Sequence, residues 1–395
     1  MVDRAACNLC AGQVLTHLDV PHGPFIAPVT VRLVVEQRVR ICLLECRARF
    51  TSPYPSGDAP SQLVTPTLLA RGALMLLDWQ HAAQRAPRPD VLVSNDWVAA
   101  LVAPYARKTT SWAGGAAAGI AKIGRDCLFV HLVHNLEPGY DGRLPLSGAH
   151  HGGAPPATMH QLPTALLHEP GRGAGGTGTE CLNLSRAALL CVDSWATVSV
   201  PYREELLTSS NFAALLRTFG GAIACDSGLP LARRRRELAQ YGTHANAKRQ
   251  LQRECFGEAG VSEETPLLVY LGRVTYQKGV HLILDCVPSL IQSCEGRVQL
   301  LVCGQADGSD GYAQRCITQM SELRSTYPQH FWAAPHRYFC QGALASLAAD
   351  FGVMPSVFEP SGASQPCEPT TPARTPTRLR PRLCALACAL DSARA

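Results

Sequence analysis

The chain has 395 residues, 46% of them hydrophobic and 17% charged, with a formal net charge of +5. Such a length accommodates two domains with sizeable cores, and the small charge, with no aromatic-interleaved basic stretch beside its one dense run (RRRR, 233–236), argues against nucleic acid as a partner. No window reaches the ~18 apolar residues of a membrane span, and the start, MVDRAACNLCAG, lacks the apolar core of a secretory signal.

The 17 cysteines are scattered, most of them inside apolar runs such as ICLLEC (41–46) and LLVCG (300–304). There a free thiol serves as a small buried hydrophobe. CNLC (7–10) is the single CxxC, and without a second pair it makes no zinc site. Reduced, structural cysteines point to an intracellular chain, cytoplasmic or plastid, with no metal.

In chain order, VRICLLECRARF (39–50) reads as a strand running into a loop, and 68–84 as an amphipathic helix with Leu69, Ala73, Leu76 and Leu77 on its apolar face. DVLVSNDWVAALVAPYAR (90–107) predicts strand, polar turn and helix; CLFVHLVHNL (127–136) predicts a second strand ending at His134-Asn135. Residues 141–182 are loop-like. Their GRGAGGTGTE lacks the Gly-Lys-Ser/Thr ending of a phosphate loop, and the His150-His151 pair reads as part of a flexible loop. Helix, strand and helix return over 185–207, followed by a polar helical stretch over 233–257.

PLLVYLGRV (266–274) is a nearly continuous apolar run, as expected of a strand covered on both faces. Behind it VHLILDCVPSLI (280–291) has helical spacing, with Pro288 a candidate kink. This is a βα unit of a parallel sheet, whose ligands bind at the carboxyl ends of strands. Arg273 and Lys278 lie there, two cations before a helix start, which suits a phosphate or diphosphate. A strand at 298–304, a helix over 312–327 and a short strand at 350–356 follow. The segment 363–395, with prolines at 366, 369, 372, 376 and 381, is expected to be disordered.

Five segments in order carry a family resemblance: SNDWVAALVAPYAR, VHLVHNLEPGYDGR, DSWATVSVPYREEL, LGRVTYQKGV and DFGVMPSVFEPSG. Together they resemble the glycogen and starch synthases, retaining glucosyltransferases. The resemblance covers roughly residues 35–365. It implies an α/β fold of GT-B architecture, two Rossmann-like parallel-sheet domains facing a cleft: 1–240, then a partial second domain at 258–362, then the 363–395 tail.

It further implies transfer of glucose from ADP-glucose or UDP-glucose to an α-1,4-glucan, with no metal or other cofactor. By the same resemblance Arg273 and Lys278 hold the diphosphate and Glu359 contacts the glucosyl group. Ser361 and Gly362 would present amides to sugar and phosphate. His134 and Asn135 would reach the donor sugar, and Asp96 would line the site.

The pattern departs from the family at several points. No Lys-x-Gly-Gly-Leu loop is found, residues 1–30 read as a remnant of the first strand and loop, and the family's histidine after Asp-Trp is Val98. Ser227 stands at an asparagine position, and the proline-rich tail replaces a Thr-Gly-Gly-Leu loop. The expectation is therefore a synthase-like chain truncated at both ends, with an inactive glucan- or partner-binding relative as the alternative.

Overall fold

The computed structural model describes residues 12–36, 38–50, 59–109, 116–137, 139–145, 160–169, 181–218, 222–224, 239, 241–308, 310–335 and 341–358. They form two compact units that divide between Asp226 and Ser227. The CxxC, the His150-His151 pair, RRRR and the 363–395 tail lie outside the described residues, as do Glu359, Ser361 and Gly362.

The first unit begins with three antiparallel strands, β1 (Gln13–His22), β2 (Phe25–Glu36) and β3 (Val39–Glu45), in the order β1-β2-β3. Residues 13–30, to which the sequence reading gave no element, thus belong to a hairpin. Leu18 and Val20 on β1, and Ala27, Val29 and Val31 on β2, alternate inward as a half-buried hairpin requires. Prolines at 21, 24 and 28 obscure that alternation in the sequence. Gly23, at φ 59°, makes the turn.

Helix α1 (Ala59–Ala82) starts well before the predicted residue 68 and continues through Pro66, with Leu63, Val64, Leu68 and Leu74 buried in the unit's core. The burial of these apolar side chains outweighs the backbone hydrogen bond that proline removes.

β4 (Val91–Asn95), α2 (Val102–Lys108), α3 (Ala116–Asp126) and β5 (Leu128–Val133) come next. The stretch read as loop contains short strands, β6 (Arg143–Pro145), β7 (His168–Glu169) and β8 (Cys181–Asn183), in a second small sheet of order β6-β8-β7. α4 (Leu184–Leu189), β9 (Ser194–Thr197), α5 (Val200–Thr208), α6 (Ala213–Thr218) and β10 (Ala222–Ala224) complete the unit. Its main sheet is parallel, β10-β9-β5-β4, with Val91 opposite Leu128 and Val130 opposite Ser194. Ser199 caps α5 by accepting the Tyr202 N–H at 3.2 Å.

The second unit holds α7 (His244–Phe256), β11 (Leu267–Leu271), α8 (Val280–Ser293), β12 (Gln299–Cys303), α9 (Gly311–Thr326), β13 (Phe331–Ala333), α10 (Gly342–Ala348) and β14 (Phe351–Gly352). Among the described residues its four strands are all parallel, in the order β13-β12-β11-β14. The side-chain period of two sorts the apolar runs into two cores. Leu268, Tyr270, Leu300 and Val302 pack with α8 and α9, while Leu267, Val269, Leu301 and Cys303 pack with α7 and α10. Helices on both faces explain why these strands read as unbroken hydrophobic runs. α8 continues through Pro288, so this proline does not end the helix. The strand expected at 350–356 pairs over Phe351–Gly352 alone. The described cysteines are free thiols, most of them buried, in keeping with a packing role.

Candidate active site

In the first unit the site residues gather where β4 and β5 end. β4 closes on Asn95, and Asp96 follows at φ 54° and ψ −179°, a conformation few non-glycine residues adopt. Its N–H donates to Leu132 O at 2.9 Å, and its Oδ1 accepts the backbone N–H of His134 at 2.8 Å. Asp96 thus ties the turn after β4 to the turn after β5. His134 places Nε2 at 3.4 Å from Asn95 Oδ1.

The carboxamide oxygen of Asn135 takes the Glu137 N–H at 2.8 Å, and the Tyr202 hydroxyl takes the Leu136 N–H at 2.8 Å. Burial pushes the Tyr202 phenol pKa upward, so it stays protonated. Three amides of this turn are therefore held by side chains, and Asn135 has its NH₂ to offer a ligand.

The Tyr140–Arg143 motif supports the same end of the sheet. Gly142, at φ 73°, approaches Trp97 so closely that a Cβ there would lie 2.6 Å from the Trp97 Cβ. Arg143 pairs with buried Asp141 and, at 3.0 Å, with Glu169, which also accepts from Asn183 Nδ2 at 2.9 Å. The charge of Arg143 is thus used inside the unit.

Beneath the turns, His131 is fully buried, with Nδ1 2.9 Å from Ser94 Oγ. Desolvation lowers its pKa to about 4, with repulsion from a second imidazolium at His134 opposing its protonation further, so the ring is neutral.

In the second unit the cations flank one loop, residues 272–279, between β11 and α8. Its base is pinned by Gly272 N–H to Cys303 O at 3.1 Å, Val274 N–H to Gln305 O at 3.1 Å and Tyr270 O–H to Arg273 O at 2.7 Å. A Cβ on Gly304 would stand 1.7 Å from Gly272 O, so only glycine lets the two strand ends abut. The far end is a 3₁₀ turn, Tyr276–Lys278, closed by Gly279 at φ 63°.

The segment after β14 docks against this turn. Val357 N–H donates to Gln277 O at 2.8 Å, Gln277 Nε2 donates to Phe358 O at 3.1 Å, and a Cβ on Gly279 would meet Pro355 O at 2.3 Å. Arg273 and Lys278 are half-buried on this tied loop. Thr275 Oγ1 and Gln277 Oε1 are buried with no hydrogen-bond partner among the described residues.

The structure thus brings Asp96, His134 and Asn135 together at one strand-end cluster, and Arg273 and Lys278 together at another. Asn95, Tyr202 and Gln277 were not foreseen as site-building residues. The Tyr202 motif was visible in the sequence, but its hydrogen bond to the 134–137 turn is long-range and has no sequence signal.

Parallel sheets with polar strand ends in both units define an α/β protein built of two Rossmann-like units. The family model for the starch synthase catalytic domain matches residues 6–219, more than half of the 395, and the chain belongs to that family.

It is 26% identical over 383 residues to glycogen synthase 2 of Geobacter metallireducens, an alignment covering 91% of this chain and 70% of that protein. Glycogen synthase 2 of Geobacter sulfurreducens is 29% identical, with 83% of this chain and 63% of the relative covered. For the glycogen synthase of Leptothrix cholodnii the figures are 29%, 70% and 53%. The structure of the catalytic domain of starch synthase IV from Arabidopsis thaliana, bound to ADP and acarbose, shares the fold with a TM-score of 0.65 at 19% identity. That match covers 90% of this chain and 69% of the other. No described helix is long and apolar enough to cross a membrane.

Proposed function

We propose that the chain transfers glucose from ADP-glucose or UDP-glucose, with retention, to the end of an α-1,4-linked glucan. The observation that carries this reading is the 272–279 loop, which sets Arg273 and Lys278 at a strand's carboxyl end and holds them there through Gly279 and Gln277.

Breaking the bond from sugar to nucleotide leaves a diphosphate that gains negative charge as it departs. Fixed cations on a braced loop stabilise that charge without having to reorganise during the reaction. His134 and the Asn135 NH₂ are assigned to the glucosyl group, and Asp96 to positioning His134. Glu359, Ser361 and Gly362 keep the sugar- and phosphate-contacting roles that the family resemblance implies.

The test is ligand protection followed by turnover. ADP-glucose or UDP-glucose at a hundredfold excess over its dissociation constant should stabilise the fold by about 2.7 kcal/mol. Lys278→Ala should remove most of that shift. Incorporation of labelled glucose into glycogen then separates a working synthase from a relative that binds glucan without turnover. No shift with either nucleotide sugar would overturn the donor assignment.

A further inference from the structure

The turn that carries Lys278 also carries an aromatic side chain that the donor site leaves unused. Tyr276 is 64% exposed. Its ring is nevertheless held: it lies parallel to His281, centroids 5.6 Å apart and planes 8° apart. Tyr312 meets both rings edge-on, at 5.7 Å from Tyr276 and 5.5 Å from His281.

His281 is fixed in turn. The Tyr312 hydroxyl lies 2.9 Å from its Nδ1 and accepts its backbone N–H at 3.1 Å. Tyr312 packs against the core shared by β11, β12 and α8, and Asp310 caps the helix that carries it. The stack is therefore built outward: core, Tyr312, His281, Tyr276, solvent.

Leaving a phenol ring in water adds little to folding, whereas a ring already fixed saves the ordering cost of binding. The two parallel rings are stepped: at contact separation of ~3.5–4 Å, a 5.6 Å centroid distance leaves roughly 4 Å of lateral offset. A step of two flat apolar faces with a hydroxyl and an imidazole nitrogen at its rim fits pyranose rings, which are apolar on their faces and polar at their edges. A single planar base would use only one of the two faces.

We infer that Tyr276 and His281 form a subsite for the glucosyl units of an α-glucan, distinct from the donor's phosphate contacts. The inference rests on the glucan reading above, and on no particular donor.

Calorimetric titration of the full chain with maltoheptaose, and separately with ADP-glucose and UDP-glucose, tests it. Tyr276→Ala should weaken maltoheptaose about tenfold, with unchanged thermal unfolding and unchanged nucleotide-sugar affinity; Tyr276→Trp should restore glucan binding. Tyr276-dependent maltoheptaose binding in a chain that takes neither nucleotide sugar would support the subsite while removing the donor assignment. Three results would overturn it: no maltoheptaose binding by the wild-type chain, equal affinity in Tyr276→Ala, or a loss confined to the nucleotide sugars.

Discussion

Asp96 Oδ1 accepts the His134 N–H at 2.8 Å, so one strand-end residue sets the backbone of the other. The bond is made from a strained backbone, φ 54° and ψ −179°, a kind of conformation that costs of order 1–3 kcal/mol and persists where its surroundings over-determine it. Asp96→Asn keeps an acceptor oxygen and tolerates positive φ, so its stability should stay near wild type. Asp96→Ala loses a hydrogen bond to a charged group, worth about 1.5–3 kcal/mol, and should also lower kcat more than it raises the donor KM. Urea unfolding and steady-state kinetics on the two variants check this; an Ala variant as stable and active as Asn would show the bond to be incidental.

Gly279 makes a second such link, between the Lys278 turn and Pro355. A side chain there meets Pro355 O at 2.3 Å and must sit at φ 63°. The left-handed conformation alone costs an L-residue about 1–2 kcal/mol, so Gly279→Ala should destabilise the second unit by at least about 2 kcal/mol and weaken nucleotide-sugar binding. Gly342→Ala, where a Cβ meets nothing within 4 Å, is the control and should leave both unchanged. Equal effects of the two substitutions would exclude the docking role.

What was legible in the sequence follows the range of the interactions. The βα units around Asp96, His134 and Arg273 were readable because apolar runs and the polar residues ending them are local. The β1–β2 hairpin was missed because three prolines mask an alternation that becomes clear only from the burial of Leu18, Val20, Val29 and Val31 against the core. The first helix was expected to begin only at 68, beyond Pro66, and Pro288 was a candidate kink, yet both helices continue through their prolines, carried by tertiary burial. The placement of Gln277 against Phe358 joins residues 81 positions apart, and nothing in either segment announces it.

The second unit's stability should depend on pH through Asp350. Burial pushes its carboxyl up, but hydrogen bonds from His244 (Nε2 to Oδ1, 3.1 Å), Lys248 (Nζ to Oδ2, 2.7 Å) and Leu267 N–H (2.7 Å) outweigh that and hold its pKa below the usual value. The same bond to Asp350 raises the His244 pKa. A depressed carboxylate stabilises above its unfolded pKa and loses that contribution as pH falls through the folded one. A raised histidine stabilises fully below its unfolded pKa of ~6.5 and loses the contribution as pH rises through the folded value. Melting temperature should therefore fall at the acid end through Asp350 and slip modestly above neutrality through half-exposed His244. In His244→Gln the neutral-to-alkaline slope should flatten, while the acid limb shrinks but persists through the Lys248 and Leu267 bonds to Asp350; an unchanged alkaline slope would place its origin elsewhere.

The outer face of the first unit's sheet carries the last prediction. Val91, Val93 and Leu128 are 47%, 56% and 57% exposed on neighbouring strands, although parallel sheets ordinarily have both faces covered. Among the described residues β4 is also the sheet's end strand, and its sequence, VLVSN, contains neither lysine nor proline. Val91 and Val93 alternate with Leu92 and Ser94, which pair with Phe129 and His131 on the opposite, buried face. A charge at residue 93 therefore enters the exposed face without reaching the core. Edge strands of this kind pair with other chains unless a charge or proline blunts them. Light scattering on the wild-type chain should show mass rising with concentration, and Val93→Lys should suppress the rise with the unfolding midpoint unchanged. If the wild-type chain stays monomeric throughout, or Val93→Lys associates equally, β4 is not the contact.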